Sequence, residues 1–355
     1  SQLKPEDAIG AVARGGQLVV VGDPKQLPPT SFFDRVVHED DSDPDTTVAQ
    51  EGESILDVAC SVYQPVRRLR WHYRSRHESL IAFSNREFYQ GRLLVFPSAH
   101  ERDADLGIRY HDVRGVLENR RNLREAQVVV DAGFQHMRER QHESLGIVAL
   151  NYEQMELIEE LFDKRLKDEP HAQEYVQKYL DRNEPFFIKN LENVQGDERD
   201  VIFISCTYGA DSVGNQYQRF GPINGPNGHR RLNVLFTRAK RRVEVFSSLD
   251  PDRIDERGGA WGVKALKQYL AYARTGRLDQ SDSGGSSAES EFEDSVGAVL
   301  RNAGHNVATQ VGVAGFRIDL AIRNPARPGS FVLGIECDGS AYHSSRSARD
   351  RDRLR

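Results

Sequence analysis

The chain has 355 residues, of which 38% are hydrophobic and 29% charged, with a formal net charge of −6 at pH 7. That length exceeds one ordinary core and predicts two or three domains, and the composition reads as a globular chain rather than a disordered or membrane one. No apolar run approaches the roughly 20 residues of a membrane span, no secretory pattern is seen, and an acidic balance confines any nucleic-acid footprint to a local patch.

Gln17–Val21 (QLVVV) reads as a buried strand ended by Gly22-Asp23-Pro24, and the acidic stretch Asp34–Gly52 as a surface loop. Apolar spacing predicts helices over Ser75–Tyr89, Glu125–Met137 and Glu153–Leu166, and a strand at Gly146–Leu150. That last helix and the charged run after it to Asn183 read as a solvated face without a function. Val201–Ser205 and Val243–Ser247 are short, dense strands, and the Gly-rich stretch Gly209–His229 between them is a loop. Strands alternating with helices imply a parallel sheet covered on both faces. The polar run Ser281–Ser290 reads as a flexible linker. Beyond it, Ser290–Gly304 reads as a helix with Phe292, Val296, Val299 and Leu300 on one face. Val307–Val311 and Phe316–Ile322 then form a hairpin, and Phe331–Cys337 a dense strand. Cys60, Cys206 and Cys337 lie far apart with no CxxC pair. This excludes a disulfide scaffold or zinc finger and suits a reducing cytoplasm.

In an open parallel sheet ligands sit at the carboxyl ends of the strands, and the unusual residues are expected there. They are Gly22-Asp23-Pro24-Lys25-Gln26-Leu27-Pro28-Pro29, Arg70-Trp71-His72-Tyr73-Arg74, Gln195-Gly196-Asp197-Glu198-Arg199 around the strand Val201–Ser205, Cys206-Thr207-Tyr208-Gly209 after it, and Arg231-Leu232-Asn233-Val234-Leu235-Phe236-Thr237-Arg238-Ala239-Lys240. This order resembles the consecutive motifs of superfamily 1 helicases, closest to the 1B group: GDPKQLPP looks like motif III, RWHYRS opens a second RecA-like domain, NVQGDERDVIFIS looks like motif V and RLNVLFTRAK like motif VI.

The resemblance implies ATP as cofactor and nucleic acid as partner, DNA being favoured over RNA. Arg74 and Arg238 would be the two arginines that reach the γ-phosphate, a role the rigid guanidinium fork suits. Gln26 would sense that phosphate. Gly196 and Glu198 would lie at the nucleotide, Glu198 on the ribose, and Tyr73 would stack on the adenine. Pro28, Thr207, Asn233 and Lys240 would face the bound strand. Residues 1–62 would end a first RecA-like domain, 63–280 form the second, and 281–290 the linker. The sequence contains no GxxxxGK[ST] loop. The chain is therefore expected to rely on a preceding part of the same polypeptide for the phosphate loop and the magnesium acids, and not to hydrolyse ATP by itself.

After residue 290 the chain has nine Arg, no Lys and eight acidic residues. Asp319 sits in an otherwise apolar strand and Glu336 ends the next, with Asp338 two residues on and so on the same face. Carboxylates gathered side by side are costly without a cation, and oxygen ligands of this kind suit Mg²⁺. The helix, the hairpin with an acid and the acid-x-acid strand resemble the PD-(D/E)xK nuclease core. The run GFRIDLAI…FVLGIECDGSAYHSSRSARDRDRLR is similar to Vsr-like endonuclease domains at the C-termini of very large bacterial helicases.

That resemblance covers 291–355 and implies metal-assisted phosphodiester cleavage. Asp319 and Glu336 would be metal ligands and Glu293 a supporting acid. Asp338 stands where the family carries lysine, and His343, Arg351 and Arg355 would contact phosphate or assist proton transfer. The domain would extend past Arg355, and with no lysine after Lys267 the water-activating role is unassigned. The expected fold class is α/β, a RecA-like parallel sheet followed by a small restriction-endonuclease-like domain. The expected function is an ATP-dependent helicase or translocase coupled to a DNA endonuclease in bacterial defence or DNA processing. An RNA helicase and a non-catalytic nucleic-acid-binding module stay open beside it, as does the oligomeric state.

Overall fold

A computed structural model of the chain describes residues 3–28, 54–100, 105–257, 259–278, 291–312 and 317–337. The expected loop at 34–52, the linker 281–290, Asp338, His343, Arg351 and Arg355 lie outside the described residues.

The first described elements are two short helices, α1 (Pro5–Val12) and α2 (Ile55–Val62), the second opened by a reciprocal capping box between Ser54 and Asp57. The stretch at 17–21, expected as a buried strand, is not one: it has no ladder partner, and Val19 and Val21 are 74% and 75% exposed. An apolar run becomes a strand only where a neighbour takes up its backbone groups, and none of the described strands lies beside it.

The chain next forms a two-residue parallel pair, β1 (Trp71–His72) with β2 (Leu94–Val95), around helix α3 (Ser79–Tyr89). Then follow β3 (Gly107–Asp112), α4 (Leu123–Glu139), β4 (Leu145–Ala149), α5 (Tyr152–Leu166), α6 (Pro170–Asp181), β5 (Phe187–Asn190), β6 (Arg199–Gly209), α7 (Gly228–Phe236), β7 (Ala239–Ser248) and α8 (Trp261–Thr275). The five strands β3 to β7 pair in the order β3-β7-β6-β4-β5, every pair parallel.

Side chains alternate across such a strand, and both faces of this sheet are buried. On β6, Val201 and Phe203 face a core built with α4, α5 and α6, while Ile202 and Ile204 face a second core built with α3, α7 and α8. The helix α6, expected only as solvated surface, buries Ala172, Tyr175 and Tyr179 in the first core. Three residues spaced by helical turns suffice to dock an otherwise polar helix.

The remainder is helix α9 (Glu291–Asn302) on an antiparallel sheet of β8 (Val307–Val311), β9 (Ile318–Arg323) and β10 (Phe331–Ile335), in the order β10-β9-β8. The face of α9 differs from expectation: Phe292 and Val299 are 59% and 68% exposed, whereas Glu293 is buried. Gly297 lies on the face of α9 turned to β9, where an added Cβ would come into ordinary contact with Leu320 at 3.6 Å. The architecture is a RecA-like parallel sheet followed by a small restriction-endonuclease-like α/β domain. None of the described helices is long and apolar enough to cross a membrane.

Candidate functional site

The cationic residues do gather, but at the other edge of the sheet from the one expected. Glu198 stands immediately before β6, Arg238 immediately before β7, and Lys240 within its first turn of ladder. The carboxyl-end rule rests on loops and helix N-termini that follow strands; here the charges are on the turns that feed them.

Arg74 Nε pairs with Glu198 Oε2 at 2.7 Å, and its Nη1 donates to the Thr237 carbonyl at 3.3 Å. Arg238 donates from Nε to the Val234 carbonyl at 2.7 Å, from Nη2 to Thr237 Oγ1 at 3.1 Å and from Nη1 to the Asp197 carbonyl at 3.4 Å. The two guanidinium groups therefore meet at Thr237. Burial, with Arg74 beside it, brings Arg238 down to about 10, and it stays charged at neutral pH. Burial alone would raise the Glu198 carboxyl, yet Arg74 and Lys240 hold it below its ordinary value; Lys240 Nζ lies 3.3 Å from Glu198 and 3.0 Å from Glu184. Gly196 adopts φ +94°, a left-handed turn that only glycine makes without strain, and this sets Asp197 and Glu198 at the mouth of the cluster. Tyr73 is 94% exposed, a ring open to a stacking partner.

Gln26 is held near this cluster. Its Nε2 donates to Asp23 Oδ2 at 3.1 Å, and the same carboxylate accepts from the Tyr89 hydroxyl at 2.6 Å. Burial and the Asp23 charge both push the Tyr89 phenol above its ordinary value. Asn233 Nδ2 donates to the Lys25 carbonyl at 2.9 Å and to Tyr89 Oη at 3.0 Å, and Gln195 Nε2 to the Leu27 carbonyl at 3.2 Å.

Three residues expected to face a nucleic acid are corrected by this geometry. Asn233 is fully buried and holds the 22–28 loop to α7, Pro28 is buried within that loop, and Thr207 is fully buried below the sheet edge. Lys240 alone of the four keeps partial exposure, and it is paired.

In the small domain the pairing of Ile335 with Leu320, carried one residue on, sets Glu336 opposite Asp319. The pairing of Thr309 with Leu320 and Val311 with Ile318 likewise sets Gln310 opposite Asp319, so the three lie in one row across the strands. Asp319 Oδ2 accepts from the Cys337 N–H at 2.7 Å, and Gln310 Nε2 donates to Glu293 Oε2 at 3.3 Å. Glu293 thus meets the row through Gln310. Among the described residues no group of three or more His, Cys, Asp or Glu side chains could hold a metal. Two adjacent half-buried carboxylates nevertheless fit Mg²⁺, which keeps most of its waters and takes one or two protein carboxylates.

A family model described as AAA domain matches residues 52–250, more than half of the chain. The chain belongs to the AAA-domain family. A second model, named REase_MTES_1575, matches residues 292–355, consistent with an endonuclease-like domain there. The chain is 35% identical over 300 residues to the "Uncharacterized ATP-dependent helicase MG140 homolog" of Mycoplasma pneumoniae, covering 80% of this chain and 25% of that protein. Against "Uncharacterized ATP-dependent helicase MG140" of Mycoplasma genitalium it is 35% identical over 293 residues, 79% of this chain and 25% of that one. The "5'-3' DNA helicase ZGRF1" of Mus musculus is 25% identical over 244 residues, 66% of this chain and 11% of its own length. The chain spans about a quarter of the length of the first two of these curated relatives.

At the carboxyl edge of the AAA-domain sheet lies a group that sequence reasoning missed. Glu125, in the first turn of α4, is fully buried. Its Oε1 accepts from Ser205 Oγ at 2.7 Å and from the Thr207 N–H at 2.5 Å, and its Oε2 from Ser248 Oγ at 2.9 Å. Thr207 itself sits at φ +65°, unusual for a β-branched residue, with the Asn122 side-chain amide donating to its carbonyl at 3.2 Å. Glu125 thereby helps hold the turn where β6 leaves the sheet. The missed signal was Asn122-x-x-Glu125, helix-start spacing with an acid at the third position.

Burial outweighs these hydrogen bonds and pushes Glu125 from its ordinary 4.5 up to about 7. Between those values the folded protein keeps a proton that the unfolded chain has lost, so stability falls as pH rises through this window. The expected size, about 3 kcal/mol, is read as the difference between the wild type and Glu125→Gln in urea melts at about pH 5 and about pH 8. The wild type should lose ground to the variant at the higher pH; an unchanged difference would show that the carboxyl is ionised throughout.

Proposed function

We propose that residues 63–280 are the second RecA-like domain, and 1–62 the end of the first, of an ATP-dependent nucleic-acid helicase or translocase. On this reading 281–290 link it to a metal-dependent, Vsr-like DNA endonuclease at 291–355. The observation that carries the helicase reading is the meeting of Arg74 and Arg238 at Thr237, beside Glu198.

Phosphoryl transfer needs charge and position more than covalent help. Arg238, buried and fixed by carbonyls, keeps its fork aimed. Arg74 is about a third exposed (35%) and exchanges Glu198 for a phosphate oxygen, which frees Glu198 for the ribose hydroxyls. Gln26 reports on the same phosphate through the loop that Asn233 and Tyr89 tie to α7, the helix that leads to Arg238. The phosphate loop and magnesium acids would come from a preceding part of the polypeptide. Lys240 is the remaining candidate for the strand-facing surface. In the second domain Asp319 and Glu336 would hold the cation, which when bound supplies water activation and neutralises the leaving oxygen. The pairing of the two domains suits bacterial defence or DNA processing, and the likeness to the mouse relative, a DNA helicase by name, favours DNA as partner.

The test uses the fully exposed ring. Tyr73→Ala in the full-length protein should raise KM for ATP about tenfold, the lower range of a base-stacking contact, with kcat nearly unchanged. An unaltered KM would remove Tyr73 from the nucleotide.

A further inference from the structure

The edge of the small sheet is not left open. Phe331 N–H donates to the Ala99 carbonyl at 2.9 Å, and His100 and Ser330 face one another across an antiparallel bridge. A bond from the residue after Ser330 to the residue before His100 makes theirs the non-hydrogen-bonded kind of pair, whose Cα atoms approach to about 4.5 Å. Ser330 is buried. An unpaired edge strand such as β10 is a template for another segment, and here a segment of the AAA domain takes its first residues.

That segment is itself pinned. The Ser98 N–H donates to Glu78 Oε2 at 2.7 Å. His77 Nδ1 accepts from the Ser79 N–H at 3.1 Å, which leaves the ring proton on Nε2, 2.9 Å from the His100 carbonyl that accepts it. His77 and Glu78 lead into α3 shortly after Arg74, and Arg76, between Arg74 and His77, donates its N–H to the Lys240 carbonyl at 2.8 Å. A continuous set of contacts thus runs from the arginine cluster through His77 and Glu78 to 98–100, and from there to β10, just past whose far end Glu336 stands opposite Asp319.

We propose that the endonuclease-like domain is docked on the AAA domain by strand addition between Ala99-His100 and Ser330-Phe331, and that this seam couples the Arg74 segment to the Asp319–Glu336 carboxylates. The coupling rests on the roles proposed above for these residues; the docking does not.

The experiment uses the 355-residue chain with its exposed Cys60 changed to Ser, the buried Cys206 and Cys337 being retained. His100→Cys with Ser330→Cys should close a disulfide on mild oxidation, since the pair lies near the Cβ separation of about 4 Å that the bond requires. His100→Cys with Val299→Cys, a residue on the exposed face of α9, is the control. Equal closure in the two would overturn the docking. In the chain with no added cysteine, the Phe331 amide should be protected from hydrogen exchange, and an unprotected amide would overturn it as well. His77→Ala should speed that exchange about tenfold, the loss of one well-made hydrogen bond. Arg74→Ala should also speed it and slow closure of the disulfide; if both rates stay at the wild-type values while His77→Ala shifts them, the coupling is wrong and the docking stands. No arm needs nucleotide, cation or cleavage, so a failed seam is distinguishable from a failed enzymatic reading.

Discussion

Arg238→Ala in the full-length protein is expected to lower nucleic-acid-stimulated ATP turnover by about 10³-fold or more, the range for arginine fingers. The geometry sharpens what this substitution removes. The side chain is only 4% exposed and donates to two carbonyls and a hydroxyl, so its cost in desolvation and side-chain freedom is met before any phosphate arrives. That is the preorganisation that makes a charge effective in a transition state. Alanine removes the charge and unpairs those acceptors, so a loss of fold could imitate a loss of catalysis. Arg238→Lys separates the two: it keeps a cation but not the fork. Turnover should stay low in the lysine variant while its melting temperature recovers most of the difference. A lysine variant with wild-type turnover would make Arg238 a general positive charge, and an alanine variant with wild-type turnover would refute the role outright.

The dense strands were legible because burial on both faces writes itself as unbroken apolar runs, as at Val201–Ser205 and Val243–Ser247. The same signal misled at 17–21, since an apolar run records a preference for burial and not the presence of a partner strand. The helix α6 was harder. Tyr175 and Tyr179 dock a helix whose other residues are mostly polar, and composition averages such a stripe away.

For the site, motif order identified which residues matter, but not how they stand to one another. Arg74 and Glu198 were expected to hold different parts of a nucleotide, yet they hold each other at 2.7 Å. Opposite charges on facing turns pair, and no spacing in the sequence encodes that contact. Asn233 and Thr207 show the converse error. A polar residue inside a motif reads as a ligand contact, whereas both are buried: Asn233 holds the Lys25 carbonyl, and Thr207 is engaged through its backbone N–H to Glu125. Glu125 was passed over because an acid in the first turn of a helix usually faces solvent beside the helix dipole.

Asp319→Asn should abolish most Mg²⁺-dependent nicking of plasmid DNA by a protein carrying residues 291–355, a fall of about 10³-fold, the several kcal/mol that metal-assisted charge stabilisation supplies. Asparagine is the informative replacement because Asp319 has a structural contact besides its proposed place at the cation. Its Oδ2 accepts from the Cys337 N–H at 2.7 Å, which ties the end of β10 to β9, and the asparagine carbonyl can keep that bond while the charge is lost. Glu293→Gln supplies the contrast. Its carboxylate accepts from Gln310 Nε2, one side chain removed from Asp319 and Glu336, so the expected fall is about tenfold, the lower range for a residue that orients ligands from behind. Chelation should silence wild type and Glu293→Gln alike, and added Mg²⁺ should restore each to its own rate. If Asp319→Asn cleaves as the wild type does, the row across β8, β9 and β10 holds no catalytic cation. If Glu293→Gln falls as far as Asp319→Asn, the cation sits nearer α9 than the strand register places it.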